Sequence, residues 1–287
     1  MAGYPYLIVD VFTSEALAGN QLAVFTKGQT IPQERLQPLA LEMGFSETVF
    51  VLPPLEQETA RIRIFTPTSE VPFAGHPVLG TAVALAIADG LDRVELVTPQ
   101  GPVPLEITDR TASGAFGRMQ QPIPTVGTLP DPQALFAALR VTGSELPVEI
   151  YDNGIPHVYV ALPDLTSVAA VAPDYGALAD LARTRGVPIV GINCFAGAGR
   201  RWTTRMFAPA DGVPEDAATG SAAGPLACHL ARHDRIAFGD EIVICQGAEI
   251  GRPSTLYATA HGSRDAITRV EVAGMAIVVA SGAFHLP

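Results

Sequence analysis

With 287 residues, 48% of them hydrophobic, the chain is long enough to bury a substantial core in two lobes. Its 18 basic residues are outnumbered by 29 acidic ones, and the net charge of −11 repels phosphate backbones, which argues against nucleic acid as a partner. Three cysteines, Cys194, Cys228 and Cys245, form no CxxC pair and fit a reducing compartment, so the expected location is the cytoplasm.

The chain opens on MAGYPYLIVDVF, which has no basic segment ahead of an apolar core and reads as a strand. Further β-rich segments bounded by Gly and Pro are predicted over 7–12, 22–25, 47–52, 61–65, 94–98 and 103–107. Pro32 to Met43 carries Leu36, Leu39, Ala40 and Met43 at helical spacing and predicts an amphipathic helix. His76 to Asp89 is apolar nearly all round, the pattern of a helix buried on every side. The longest apolar run, Val78 to Ala88, is interrupted by Gly80 and Thr81 and is too short to cross a bilayer, so no membrane segment is implied.

After Gln120 and Gln121 the stretch PIPTVGTLPDP reads as a linker. Strands are then predicted over 149–151, 157–162 and 189–195, with a helix over Tyr175–Arg185, a buried helix over Ser221–Arg232 and strands to the end. Hairpin-spaced strands with isolated helices predict an α+β fold of mixed or antiparallel sheet and exclude a doubly wound parallel one. The predicted lobes are 1–122 and 123–287, the last residues being free to pack back on the N-terminal lobe.

An internal repeat links the halves. Arg63, Phe65, Pro67, Val71 and Pro72 recur as Arg205, Phe207, Pro209, Val213 and Pro214, an R-x-F-x-P-x-x-x-V-P frame at an offset of 142. Each copy leads through Gly into an Ala-rich helix. The expectation is two pseudo-symmetric lobes of mixed sheet, each wrapped around a central helix, with the helix N-termini facing a shared cleft. The repeat sets Asp216 opposite Ala74 and the Gly220-Ser221 helix start opposite Gly75-His76.

Several residues at these points could carry chemistry. His76, between Gly75 and Pro77, stands at a helix start, where unpaired N–H groups favour an anion; it reads equally as a cap. Asp216 precedes the second central helix and reads locally as an N-terminal cap, while Ser221 offers a hydroxyl for a carboxylate or a cap of its own. Glu47 opens a strand on the same face as Val49 and Val51, where a carboxylate on an apolar face suits proton transfer because desolvation raises its pKa; locally it reads more readily as a solvated strand end. His229 and His233 have the i, i+4 spacing of a metal pair, but without an evident third ligand they read as a helix surface and a C-terminal dipole partner, so no metal is expected. Arg63 and Arg205 read as structural. Nucleotide, acyl-serine and calcium motifs are absent from the sequence, and no cofactor is expected.

At Glu47, Glu70-Val-Pro-Phe-Ala-Gly-His-Pro77 and Glu215-Asp-Ala-Ala-Thr-Gly-Ser-Ala-Ala-Gly224, the chain resembles the PhzF family of phenazine-biosynthesis isomerases over nearly its whole length. Met119-Gln-Gln-Pro-Ile-Pro-Thr125, Asn193-Cys-Phe-Ala-Gly-Ala-Gly199 and Gln246-Gly-Ala-Glu-Ile-Gly-Arg-Pro-Ser254 are similar to the phenazine-pathway enzyme itself. The resemblance implies the diaminopimelate-epimerase-like fold, a homodimer and no cofactor. It also implies isomerisation of trans-2,3-dihydro-3-hydroxyanthranilate, a small carboxylate, to an aminoketone. Glu47 matches the acid/base residue. His76 and Asp216 would hold the amino and hydroxyl side of the ring, and Ser221 would bind the carboxylate with the amides of Gly75, His76 and Gly220. Ser46 joins Gly75, Gly220 and Ser221 in the substrate-binding set. Epimerases of this fold use one cysteine per lobe, and Ala74 and Asp216 at the matching places exclude a two-thiol mechanism. Gly19-Asn20-Gln21 departs from the family's Gly-Asn-Pro and is expected to touch none of the catalytic set. By themselves the residues leave open an isomerase of another cyclic amino or hydroxy acid and a non-catalytic carboxylate binder.

Overall fold

The computed structural model describes residues 3–184 and 189–286. The chain forms two compact units, residues 1–120 with 273–287 and residues 121–272. Among the described residues no helix is long and apolar enough to cross a membrane.

The first unit contains β1 (Gly3–Val11), β2 (Asn20–Phe25), α1 (Gln33–Met43), β3 (Glu47–Leu52), β4 (Ala60–Phe65), β5 (Glu70–Val71), α2 (Gly75–Asp89), β6 (Arg93–Thr98), β7 (Gly101–Thr108) and β8 (Gly114–Gln121). It is completed by the C-terminal part of a long last strand over Ile267–His285. That strand pairs antiparallel with β1 and also with β8, so the hydrogen-bonded circuit through β1, β2, β3, β4, β6, β7 and β8 closes on itself. A closed circuit leaves no edge among these strands. Two of its pairs, β2 with β3 and β4 with β6, are parallel.

Helix α2 fills the inside of this circuit, which is why its sequence is apolar all round. A Cβ at Gly80 would lie 2.6 Å from Val11 and 2.8 Å from Leu22, so only glycine lets α2 approach β1 and β2 this closely. Across β3 the alternation separates two environments. Phe50 joins Phe25, Phe65, Leu36 and Leu39 in the cluster beneath α1, while Val49 and Glu47 point the other way, toward α2.

The second unit contains β9 (Thr125–Thr128), α3 (Gln133–Leu139), β10 (Glu149–Asp152), β11 (Pro156–Ala161), α4 (Leu165–Ala169) and α5 (Tyr175–Thr184). It continues through β12 (Gly191–Ala198), β13 (Arg201–Ala208), β14 (Val213–Asp216), α6 (Gly220–Arg232), β15 (Glu241–Gln246) and β16 (Ser254–Gly262). The stretch read as a linker contains β9, which pairs antiparallel with β10; prolines flank the strand without entering it. Arg185, expected to end a helix, lies outside the described residues. The sheet runs β9, β10, β11, β12, β13, β15, β16, with β11–β12 and β13–β15 parallel. One face packs Val158, Val160, Ile192, Cys194 and Phe207 against α3, α4 and α5. On the other, α6 lies along the alternate residues, with the Tyr159 hydroxyl donating to the Ala222 carbonyl at 2.7 Å.

The repeat is visible inside each unit. β4, β5, α2 and β6 have the same order and pairing as β13, β14, α6 and β15, and in both the flanking strands of the central helix are parallel. Arg63 lies 5.1 Å over the Phe65 ring and Arg205 lies 5.1 Å over the Phe207 ring. Each guanidinium also forks a glutamate, Glu70 in one unit and Glu215 in the other, although these glutamates occupy different places in the frame. The expected α+β fold of mixed sheet around central helices therefore holds for both units.

Candidate active site

In the first unit the expected residues gather where β2, β3 and α2 begin. Asn20 and Glu47 open two parallel neighbours, with Leu22 paired to Glu47, and His76 occupies the first turn of α2. Glu47 keeps 17% of its side chain exposed, whereas His76 keeps only 3%. Oε2 of Glu47 lies 3.4 Å from Nε2 of His76, longer than an ordinary hydrogen bond. Burial pushes the His76 imidazole down to about 3, against a smaller upward pull from the Gln21 carbonyl, so the ring is neutral at physiological pH.

Asn20 links the group. Its amide nitrogen is 3.2 Å from His76 Nδ1, and its Oδ1 accepts from the Ser46 hydroxyl at 3.2 Å. The segment Gly19-Asn20-Gln21 therefore does touch the expected catalytic set, contrary to the sequence reading: β2 runs beside β3 and carries Asn20 onto α2. Nor is His76 a cap. The N-cap of α2 is Ala74, which has no side chain able to cap, and Gly75 is the first helical residue.

In the second unit Asp216 ends β14, and the N-cap of α6 is Thr219. Asp216 is thus not the helix cap that its local sequence implied. The lead-in is longer in this copy: Asp216 follows Ala74 at the frame offset of 142, but Gly220 follows Gly75 at 145. Neither Ala74 nor Thr219 nor Asp216 is a thiol. Asp216 Oδ2 instead accepts from the Thr219 hydroxyl at 2.7 Å, and Gln246 braces the turn by donating to the Asp216 carbonyl at 2.9 Å and accepting from the Thr219 amide at 3.1 Å.

Gly220 and Ser221 form the first turn of α6 and are buried. Gln121 donates to the Gly220 carbonyl at 2.8 Å and Asn153 to the Ser221 carbonyl at 3.0 Å. A Cβ at Gly224 would lie 2.4 Å from Gln121 Oε1, so the glycine keeps that brace in place. Ser221 Oγ lies 3.0 Å from Nε2 of His157, a residue that the sequence reading placed in a strand and gave no role. No N-cap side chain caps either central helix, so the buried first turns of α2 and α6 present N–H groups and a positive dipole end to an anion.

The pair His229 and His233 does meet a third donor, Glu149, brought from β10. His229 is buried, not on a helix surface, and stacks on Tyr159 at 5.7 Å. Oε2 of Glu149 is reached by His229 Nδ1 at 3.2 Å, His233 Nε2 at 3.0 Å, Arg232 Nη1 at 3.0 Å and the Tyr151 hydroxyl at 2.8 Å. The guanidinium already supplies a positive charge at this oxygen, and the cluster ties the C-terminal end of α6 to β10. Sequence reasoning missed Asn20, His157, Asn193, Gln121 and Gln246 as site residues; the presence of the last three in family-like stretches was the signal that could have found them.

The family model described as phenazine biosynthesis-like protein, PhzC-PhzF, matches residues 9–282. The chain is 49% identical to the trans-2,3-dihydro-3-hydroxyanthranilate isomerase of Pseudomonas aeruginosa over 98% of this chain and 99% of that one. Among solved structures it superposes on a PhzF-family phenazine biosynthesis protein of Bacillus anthracis with a TM-score of 0.86 at 23% identity, covering 100% of both chains. A predicted epimerase of Pseudomonas aeruginosa gives 0.84 at 28% identity, covering 99% of this chain and 100% of that one. The chain belongs to the PhzC-PhzF family of phenazine biosynthesis-like proteins.

Proposed function

We propose that this isomerase acts on trans-2,3-dihydro-3-hydroxyanthranilate, shifting a proton and the ring double bonds to give an aminoketone. The observation that carries the reading is the placement of Glu47, a partly exposed carboxylate whose Oε2 is 3.4 Å from a buried neutral imidazole. Glu47 takes the proton from the ring carbon bearing the hydroxyl. The electron pair of that C–H bond moves into the conjugated system, and the same carboxyl group returns a proton to the carbon bearing the carboxylate. The resulting enol rearranges to the ketone, so substrate and product have the same composition and no redox partner is needed. One group serving as base and then as acid suits a transfer along one ring face.

The remaining roles are those the family resemblance implies, and the donor and acceptor character of the residues suits them. His76, steadied by Asn20, faces the amino and hydroxyl side of the ring, and Asp216 binds that side as an acceptor. Ser221 and the amides of Gly75, His76 and Gly220 hold the carboxylate, where oriented N–H groups stabilise an anion without reorganising. Ser46 fixes Asn20. The reading includes a homodimer in the cytoplasm.

The test is incubation of the protein with this substrate in deuterated water, without added cofactor, beside a Glu47→Gln variant. Rapid substrate loss with deuterium at the carbon bearing the carboxylate is expected, with a fall of about 10²–10⁴-fold in the variant. A folded native protein that leaves the substrate unchanged overturns the assignment.

A further inference from the structure

His157 sits on β11 with 1% of its surface exposed, its Nε2 3.0 Å from Ser221 Oγ. Which of the two groups donates is decided on the other side of the ring. There Nδ1 lies 3.5 Å from the amide nitrogen of Asn193. That amide is itself oriented by backbone: its nitrogen donates to the Val158 carbonyl at 3.2 Å and faces the Gly191 carbonyl at 3.5 Å. Turning Asn193 over would set its oxygen against two carbonyl oxygens, so the NH₂ end must face the imidazole. Nδ1 is then the acceptor, and the single proton of a neutral ring is on Nε2. Burial, which pushes His157 down to about 3, keeps the ring neutral.

The ring cannot turn away. Gly191 pairs with His157 across the parallel β11–β12 ladder, and a Cβ there would lie 2.0 Å from Nδ1, so the imidazole lies directly over the glycine. An Nε2–H aimed at Ser221 Oγ makes the serine oxygen an acceptor at that contact, and the hydroxyl hydrogen must point elsewhere. Ser221 is in the first turn of α6, whose N–H groups point the same electrostatic way.

We propose that His157 is a positioning residue that, held by Asn193 over Gly191, fixes the Ser221 hydroxyl as a hydrogen-bond donor to the carboxylate of the ligand. The inference rests on the reading of Ser221 as a carboxylate contact given above and specifies how that contact gains its direction. It also gives Asn193 and Gly191, both in strand β12, a reason to be these residue types.

Three measurements on the full chain test it. Nitrogen-15 NMR of histidine-labelled protein is expected to show His157 as the Nε2–H tautomer, with the Nε2 signal moved by Ser221→Ala; the Nδ1–H tautomer overturns the proposal whatever the enzyme's substrate. Anthranilate, used as a carboxylate probe in calorimetric titration, is expected to bind about 10-fold or more weakly to Ser221→Ala and to His157→Leu. His157→Gln, whose amide can supply an N–H near the Nε2 position, recovers most of that loss. The double variant Ser221→Ala with His157→Leu binds no worse than Ser221→Ala alone. Additive losses, or native binding no tighter than that of Ser221→Ala, overturn the proposal; His157→Leu that fails to fold leaves His157→Gln and Gly191→Ala, which crowds the ring, to decide it. Failure of the substrate assay in deuterated water with these binding results intact would remove the assigned reaction and leave the role of His157 standing.

Discussion

Arg205 grips Glu215 through Nε and Nη2 at 2.8 and 2.7 Å while its Nη1 donates to the Val168 and Ala169 carbonyls in the last turn of α4 and to the Val171 carbonyl just past it. One guanidinium thereby joins β13 to the lead-in of α6 and satisfies carbonyls at the C-terminal end of α4. The matching Arg63–Glu70 fork, at 2.7 and 2.6 Å, has side chains 24% and 36% exposed, against 8% and 5% for Arg205 and Glu215.

The same geometry should thus have unequal energetic weight. Arg205→Met strands a buried carboxylate and three carbonyls and is expected to cost about 3–5 kcal/mol. Arg63→Met, in water-screened surroundings, should cost no more than about 1 kcal/mol. Urea unfolding of the two variants checks the order, and equal losses would show that burial does not separate the two copies.

His76 and His157 make stability sensitive to acid well above the usual carboxylate range. Each takes up a proton at about 6.5 when unfolded but only near 3 when buried, so below the unfolded value protons favour the unfolded chain. Stability is fully present above that pH and declines as pH falls toward 3. The expected loss is about 2 kcal/mol per histidine between pH 7 and pH 5. Urea midpoints followed across that range should show it, and His157→Gln should remove about half of the slope.

Glu149 acts in a lower window. Burial raises its pKa, but the hydrogen bonds from His229, His233 and Tyr151 and the charge of Arg232 outweigh this and hold the carboxyl well below the usual range. Because the folded value is depressed, this contribution is complete above the unfolded carboxylate pKa and is lost as pH falls through the folded one. Glu149→Gln is expected to cost about 2–3 kcal/mol at pH 7. The gap between variant and native protein should narrow below about pH 4, where the unfolded carboxylate is protonated. A gap that stays constant from pH 7 to pH 3 would mean that the cluster works through shape alone.

Local patterning along the chain carried whatever depends on neighbours within a turn or a strand. The all-round apolar run of α2, the amphipathic spacing of α1 and the two-residue alternation that turns Glu47 toward α2 are local periodicities, and each survives in the structure. The R-x-F frame announced matching strands because it repeats as text. Partners from distant segments have no such signature. Asn20 meets His76 from 56 residues away, Ser221 meets His157 from 64, and Glu149 meets His229 from 80. Only the pairing of β2 with β3, of β11 with β12, and the seating of the central helices against them brings these groups together. The cap role read into Asp216 failed for the same reason: its short-range pattern fits a helix start, but pairing of β14 with β13 claims the residue for the sheet. Local sequence fixes which face a side chain takes; tertiary packing decides which donor and acceptor meet there, because a hydrogen bond depends on position in space and not on separation along the chain.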